Sequence, residues 1–312
     1  KYKSVRGRYD TYTAKGGKAC GGSGYEVLPS FIQGSMATDA GIVPLDGDYD
    51  IERGVAMSHD GSPDDAVEPK KIIKAVLTAH GFSDPRIKKP CVTADYQADP
   101  MHIDYPTYRV SAADQYQLAV GKENAKAENK FWDSADPKGL TAWIKSSSNH
   151  MNTLSTLTTA QRAQYRRLVQ YLKRWRDHKY QSEAARKQIF SIALTVMLKE
   201  SFRPSEDDDG KPDDNRALRL TLDTILDDKS YFSSIGDGKY TIAVNLPVTP
   251  HRDIFDGRGK QVATALRNRM NRLRNALVAV EGMDSEKQQC KKLREQFGSD
   301  FPEGNDDGGR VQ

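Results

Sequence analysis

The stretch QGSMATDAGIVPLDGDYDIERGVAM, residues 33–57, decides how the rest of the sequence is interpreted. Asp50 and Glu52 lie two residues apart in a strand-like run, so their side chains share one face of the strand. Two carboxylates on one face repel each other unless cations lie between them, and Mg²⁺ takes oxygen ligands of this kind. Asp48 with Asp50 is the alternative pair. We prefer Asp50 with Glu52, because a Gly-Val strand continuation follows directly.

Two further features accompany the acid pair. Gly34-Ser35 lies upstream, where a glycine lets backbone approach a phosphate closely and a serine adds a hydroxyl donor. Asp104 is a lone acid in the β-prone run MHIDYPTYRV, and we expect it to complete the acid set from a neighbouring strand. The competing interpretation makes these acids turn or surface residues, and we accept it for Asp46, which lies beside Gly47.

The composition is that of an ordinary globular protein. The chain has 312 residues, with 29% charged and 37% hydrophobic, and a net charge of only +4. These values exclude collagen-like, disulfide-scaffold and wholly disordered classes. No apolar run is long enough to span a membrane, and the first residues do not resemble a signal peptide. Cys20, Cys91 and Cys290 are odd in number and widely spaced, which predicts reduced thiols and a cytoplasmic location.

The pattern divides the chain into a mixed α+β part, residues 1–150, a helical part, 151–303, and a tail, 304–312. In the first part we predict a helix from Pro69 to Gly81, with strands at 51–57, 92–96 and 102–110.

In the second part, Thr158 with Gln161 predicts a capping box that opens a helix. Ser182 is predicted to cap another helix that includes Ile189–Met197 and is buried nearly all round. TIAVNLPV, 241–248, is predicted to be a strand, and a long helix is predicted along 262–280.

Several segments together resemble the polymerase-β-like nucleotidyltransferases, and more narrowly the bacterial relatives of cyclic GMP-AMP synthase (CD-NTases) that make cyclic oligonucleotides in CBASS antiphage defence. The resembling segments are QGS (33–35), YDIERGV (49–55), HIDYPTY (102–108), WDSADPKGLTAW (132–143), LVQYLKRW (168–175), FSIALTVM (190–197) and LPVTPHRDIF (246–255). The resemblance implies an α+β fold in which a palm with a mixed sheet packs against a C-terminal helical lobe, with the active-site cleft between them.

The resemblance also implies a chemistry. Asp50, Glu52 and Asp104 would be the catalytic acids and would bind two Mg²⁺ ions, with Mn²⁺ as a substitute. The substrates would be nucleoside triphosphates such as ATP and GTP, joined with release of pyrophosphate. Glu52 departs from the aspartate that is commoner at the second acid position, although both residues chelate metal.

Five residues are implied as substrate contacts. Gln33, Gly34 and Ser35 form the segment before the acids. Lys173 and Ser191 resemble family residues that contact the donor phosphates. Without the resemblance, Lys173 would be interpreted as a solvated helix lysine and Ser191 as a hydroxyl bonded back to the preceding turn.

Other functions were weighed against this one. A template-independent RNA-tail polymerase, or another nucleotidyl-transferring enzyme of the superfamily, would usually need a strongly basic track, so stable nucleic-acid binding is not expected. A nucleotide- or RNA-sensing module with a catalytically inactive palm would lack one of the three acids. No histidine has zinc-ligand spacing with the cysteines, so no zinc is expected, and His102 is interpreted as structural. An activating or regulatory protein partner remains open.

Overall fold

The computed structural model describes residues 26–45, 47, 49–96, 101–148, 156–227 and 230–305. The chain divides into two compact units. The described part of the first lies within Lys1–Asp39, Asp46–Thr141 and Val248–Pro250. The second contains Ala40–Leu45, Ala142–Pro247 and the chain from His251 onward. The boundary predicted after residue 150 lies outside the described residues, as does residue 306 onward.

The first unit is built on a seven-stranded mixed sheet. Its strands are β1 (Val27–Gln33), β2 (Tyr49–Ser58), β3 (Arg86–Ile87), β4 (Cys91–Asp95), β5 (Met101–Val110), β6 (Tyr116–Val120) and β7 (Phe131–Ala135). The order is β1-β2-β5-β4-β3, while β6 pairs with the end of β5 and β7 pairs with β6. Strands β2 and β5 run parallel, and the other pairs of this sheet are antiparallel.

Among the described residues, two α-helices lie within this unit and a third runs across its boundary, between Thr141 and Ala142. They are α1 (Gly34–Ala37), α2 (Glu68–Ala79) and α3 (Pro137–Lys145). Helix α2 begins at Glu68, with the predicted Pro69 in its first turn, and buries Ile73 and Leu77. These side chains pack on Ile51 and Ile103 of the two parallel strands. One face of the sheet is therefore covered by an apolar core. The other face carries polar side chains at the start of β2 and β5 and a second apolar cluster, with Ala56, Tyr108 and Val110, toward their ends.

The second unit is mainly helical. Its helices are α4 (Thr159–Lys179), α5 (Glu183–Arg186), α6 (Ser191–Ser201), α7 (Asp214–Asp227), α8 (Lys260–Glu281) and α9 (Glu286–Phe297), with a hairpin of β8 (Phe232–Ser234) and β9 (Tyr240–Ile242). The predicted capping box is present, since Thr158 and Gln161 exchange side-chain to backbone hydrogen bonds. Helix α6 is buried at every position from Ala193 to Lys199.

Two predictions for this unit are wrong. Ser182 caps only the four-residue α5, and the chain is extended at Phe190 before α6 begins. The predicted strand 241–248 ends at Ile242. Beyond it, the backbone N–H of Val244 donates to the Asp253 side chain at 2.8 Å, and Pro247 has no N–H for a ladder.

None of the described helices combines the length and apolar character needed to cross a membrane.

Candidate active site on the palm sheet

The parallel pairing of β2 and β5 places the acids side by side. In the register of these strands, Asp50 is opposite His102 and Glu52 is opposite Asp104. Residues paired in this way share a face, and positions two apart along a strand share it too. The four side chains therefore lie on one face of the sheet, while the intervening Ile51 and Ile103 fill the core on the other.

Three of these side chains form a compact cluster. One ligand atom each of Asp50, His102 and Asp104 lie within 4.8 Å of one another. The Asp50 side chain is 53% exposed, whereas those of His102 and Asp104 are 19% exposed. Two carboxylates at this separation repel each other, and a cation between them would relieve the repulsion. The donor set therefore fits a divalent metal ion, with access from the side of Asp50.

Glu52 is held by a relay of hydrogen bonds from two strands. Gln33, its register partner on β1, donates from Nε2 to Glu52 Oε2 at 2.9 Å. The Tyr108 hydroxyl in turn donates to Gln33 Oε1 at 2.9 Å. Burial raises the pKa of Tyr108 well above its usual value, so the phenol keeps its proton and remains a donor. Gln33 is thus placed to orient the Glu52 carboxylate.

Gly34 lies directly against the same carboxylate. Its φ of +67° is in the left-handed region, which favours glycine. A Cβ atom at this position would lie 2.8 Å from Glu52 Cδ and 2.9 Å from Oε2. The glycine therefore makes room for Glu52, and its approach to a phosphate stays a prediction. Ser35 follows in the short α1 and is half-buried.

Asp104 has two further neighbours. The Thr93 hydroxyl donates a short hydrogen bond to Asp104 Oδ1, and Lys88 Nζ is 3.9 Å from the same oxygen. Burial, with Asp104 nearby, raises the pKa of the Cys91 thiol to about 12. Cys91 therefore stays protonated and is unsuited to nucleophilic chemistry.

Lys173 and Ser191 belong to the other unit. Lys173 is buried on α4, and its Nζ donates to the backbone oxygen of Ala40 at 2.8 Å. The Ser191 hydroxyl, at the start of α6, accepts a short hydrogen bond from Arg176. Their contact with donor phosphates stays a prediction.

The structure thus brings Asp50, Glu52 and Asp104 together with Gln33 and Gly34. Asp48, of the alternative register, lies outside the described residues.

Sequence reasoning missed two features of this site. The place of His102 in the cluster with Asp50 was not anticipated, although its spacing of two from Asp104 already puts both on one face of a strand. The Gln33–Tyr108 contact joins residues 75 positions apart, and no local pattern signals it.

Comparison with known proteins agrees with this geometry. Residues 29–108 match the family described as cyclic GMP-AMP synthase DncV-like, nucleotidyltransferase domain. The matched stretch contains Asp50, Glu52 and Asp104 and the Gly-Ser segment. This stretch is similar to a DncV-like nucleotidyltransferase domain. The resemblance noted from the sequence is confirmed, and so is the class of enzyme, a nucleotidyltransferase.

Solved structures agree on the fold over most of the chain. The CD-NTase CdnG of Bradyrhizobium diazoefficiens, solved in complex with GTP, is similar with a TM-score of 0.69 and 18% identity, over 96% of this chain and 89% of that one. The DncV cyclic AMP-GMP synthase of Vibrio cholerae has a TM-score of 0.65 and 18% identity, over 92% and 72% of the two chains. The predicted α+β, polymerase-β-like fold is confirmed.

A third similar structure is that of Vibrio cholerae DncV in complex with the linear intermediate 5′ pppA(3′,5′)pG. It has a TM-score of 0.60 and 18% identity, over 88% of this chain and 70% of that one. A comparison with curated protein sequences found no match.

Proposed function

We propose that this protein is a metal-dependent synthase that joins nucleoside triphosphates into a cyclic oligonucleotide and releases pyrophosphate. The observation that carries the proposal is the cluster of Asp50, His102 and Asp104 within 4.8 Å, beside Glu52, in a domain matched to the DncV-like nucleotidyltransferases.

The reaction requires little covalent chemistry from the protein. A ribose hydroxyl of one nucleotide attacks the α-phosphorus of another, the new P–O bond forms, the bond to the bridging α–β oxygen breaks so that pyrophosphate leaves, and the hydroxyl proton passes to water. The same step between the free hydroxyl and the 5′-triphosphate of the linear product closes the ring. Divalent cations held by Asp50, Glu52 and Asp104 would lower the pKa of the attacking hydroxyl and neutralise the leaving pyrophosphate. The chain's own contribution is to fix these carboxylates on a rigid sheet before substrate arrives.

The remaining predicted residues have supporting roles. Gln33 and Gly34 keep the Glu52 carboxylate oriented, through the hydrogen bond from Gln33 and the space left by the missing Cβ. Ser35 would offer its hydroxyl to a phosphate. Lys173 and Ser191 would act on the donor phosphates from the helical unit, for which Lys173 would have to exchange its Ala40 contact for a phosphate oxygen.

The substrate class follows from the relatives. CdnG was solved in complex with GTP, and DncV with nonhydrolyzable GTP and with a linear intermediate joining A and G. We extend this to the present chain as nucleoside triphosphates, with ATP and GTP as the first candidates. Mg²⁺ would be the metal because it is far more abundant in cells, with Mn²⁺ as a substitute. We place the enzyme in the cytoplasm, in antiphage defence, where a regulatory protein partner would raise its basal activity.

The test is product analysis. The protein is incubated with the four labelled nucleoside triphosphates and Mg²⁺, treated with phosphatase, and the products are identified by mass spectrometry. A phosphatase-resistant cyclic product is expected from the wild type and from Asp60→Asn, a control acid whose side chain is 99% exposed. Asp50→Asn together with Glu52→Gln should form none. A ladder of linear chains would instead assign the protein to the tail-adding polymerases, and turnover by the double variant would remove these acids from the site.

A further inference from the structure

His102 lies inside the carboxylate cluster. Its Nε2 is 3.4 Å from Asp50 Oδ1, and a ring nitrogen is within 4.8 Å of the ligand oxygens of both Asp50 and Asp104. Its side chain is 19% exposed, as little as that of Asp104. An imidazole at this position adds a nitrogen donor to a site that otherwise offers oxygen.

The strand register fixes this placement. His102 is two residues before Asp104 and directly opposite Asp50, so the pleat puts all three on one face. Its neighbours Met101 and Ile103 are buried in the apolar core on the opposite face. His102 instead lies on the face of the carboxylates, beside Asp50 and Asp104.

Ligand chemistry predicts what an added imidazole does. Mg²⁺ prefers oxygen ligands in strict octahedral geometry, whereas imidazole suits first-row transition metals. We propose that His102 is a direct metal ligand, which makes the site of Asp50 and Asp104 select Mn²⁺ over Mg²⁺. The inference rests on the metal site of the proposed function, and it adds a ligand and a metal preference to it.

The decisive measurement detects nitrogen bound to the metal. Mn²⁺ is added to the full chain without nucleotide, and electron spin-echo envelope modulation is recorded. The wild type should show the ¹⁴N modulation of a coordinated imidazole, and both His102→Gln and His102→Phe should lose it. The control is His59→Gln, which changes a half-exposed histidine just after the far end of β2, about 25 Å along the strand at 3.3 Å per residue, and should keep the signal.

Affinity gives an independent readout. Calorimetric titrations with Mn²⁺ and with Mg²⁺ should show that the ratio of the two affinities falls about tenfold or more in His102→Gln, while His59→Gln keeps the wild-type ratio. Thermal unfolding of each variant checks that it is folded. If His102→Phe does not fold, His102→Gln alone provides the test. Absence of Mn²⁺ binding, absence of nitrogen modulation in bound wild type, or an unchanged ratio in a folded His102 variant would each overturn the proposal.

The proposed function is tested separately by product analysis with Mg²⁺. Nitrogen-bound Mn²⁺ in a protein that forms no cyclic product would sustain the ligand assignment and refute the synthase. A cyclic product from a protein whose bound Mn²⁺ shows no nitrogen modulation would support the synthase and refute the ligand assignment of His102.

Discussion

Gly34 offers a sharp test of how the site is held together. Replacing it with alanine has two effects that can be separated. The residue would be forced to keep a φ of +67°, which costs about 1–2 kcal/mol for an L-residue. Its Cβ would also lie 2.8 Å from Glu52 Cδ, closer than such atoms approach, so the carboxylate must move. Movement would break the 2.9 Å bond from Gln33, which adds about 1 kcal/mol.

Gly61 provides the matched control. Its φ is +80°, and a Cβ there would meet nothing within 4 Å. Gly61→Ala should therefore carry the backbone cost alone and lower the melting temperature by a few degrees. Its kcat should stay at the wild-type value, because no side chain of the site is displaced. Gly34→Ala should lose a similar or somewhat larger amount of stability.

The two variants should differ in turnover. A displacement of a reacting group by about 1 Å can cost roughly 100-fold in rate, so Gly34→Ala should lower kcat by about that factor. The assay is pyrophosphate release at saturating nucleoside triphosphate and Mg²⁺, with melting followed by circular dichroism. If Gly34→Ala and Gly61→Ala have the same kcat, Gly34 does not act through Glu52. A raised KM with unchanged kcat would instead support the role inferred from sequence, in which Gly34 lets the backbone approach a phosphate.

Three further predictions concern single side chains. Asp104→Asn should abolish pyrophosphate release. It should not lower the melting temperature, because it removes one of the two repelling carboxylates. Turnover near the wild-type rate would argue against a catalytic role of Asp104. Lys173→Ala leaves the buried Ala40 carbonyl without its hydrogen-bond donor, so the free energy of unfolding in denaturant should fall by about 1–3 kcal/mol. The KM for nucleoside triphosphate should also rise. If neither value changes, Lys173 contributes neither to substrate binding nor to stability. Burial lowers the pKa of Lys70 from 10.5 to about 8, so the unfolded chain binds more protons there between these pH values. The contribution of Lys70 to the free energy of unfolding should therefore rise with pH across that window, by up to about 3 kcal/mol, and Lys70→Met should lack this rise when both proteins are unfolded at pH 8 and pH 10.

Sequence patterns were most informative where one period dominates. The alternation of Tyr49–Ser58 and the apolar face of Glu68–Ala79 predicted a strand and a helix close to their observed bounds. Asp104 could be assigned to the same site as Asp50, because each is a polar residue in a strand-like run and such strands pair. The parallel register that places them opposite His102 and Glu52 depends on tertiary packing.

The errors also have physical causes. Apolar residues continue from Ile189 into α6, so periodicity alone suggested one helix from Ser182. The extended backbone at Phe190 interrupts it, and Arg176 binds the Ile189 carbonyl at 3.4 Å. The role of Gly34 could not be read locally, since its neighbour Glu52 comes from the adjacent strand.

The central claim is that the carboxylates of Asp50, Glu52 and Asp104 hold the catalytic cations. The most direct measurement is anomalous diffraction from crystals grown with Mn²⁺ and a nonhydrolysable nucleoside triphosphate. The account predicts manganese peaks within bonding distance of Asp50 and Asp104, with the triphosphate on the same metal. Manganese bound only elsewhere, or a triphosphate seated away from this face of the sheet, would contradict it.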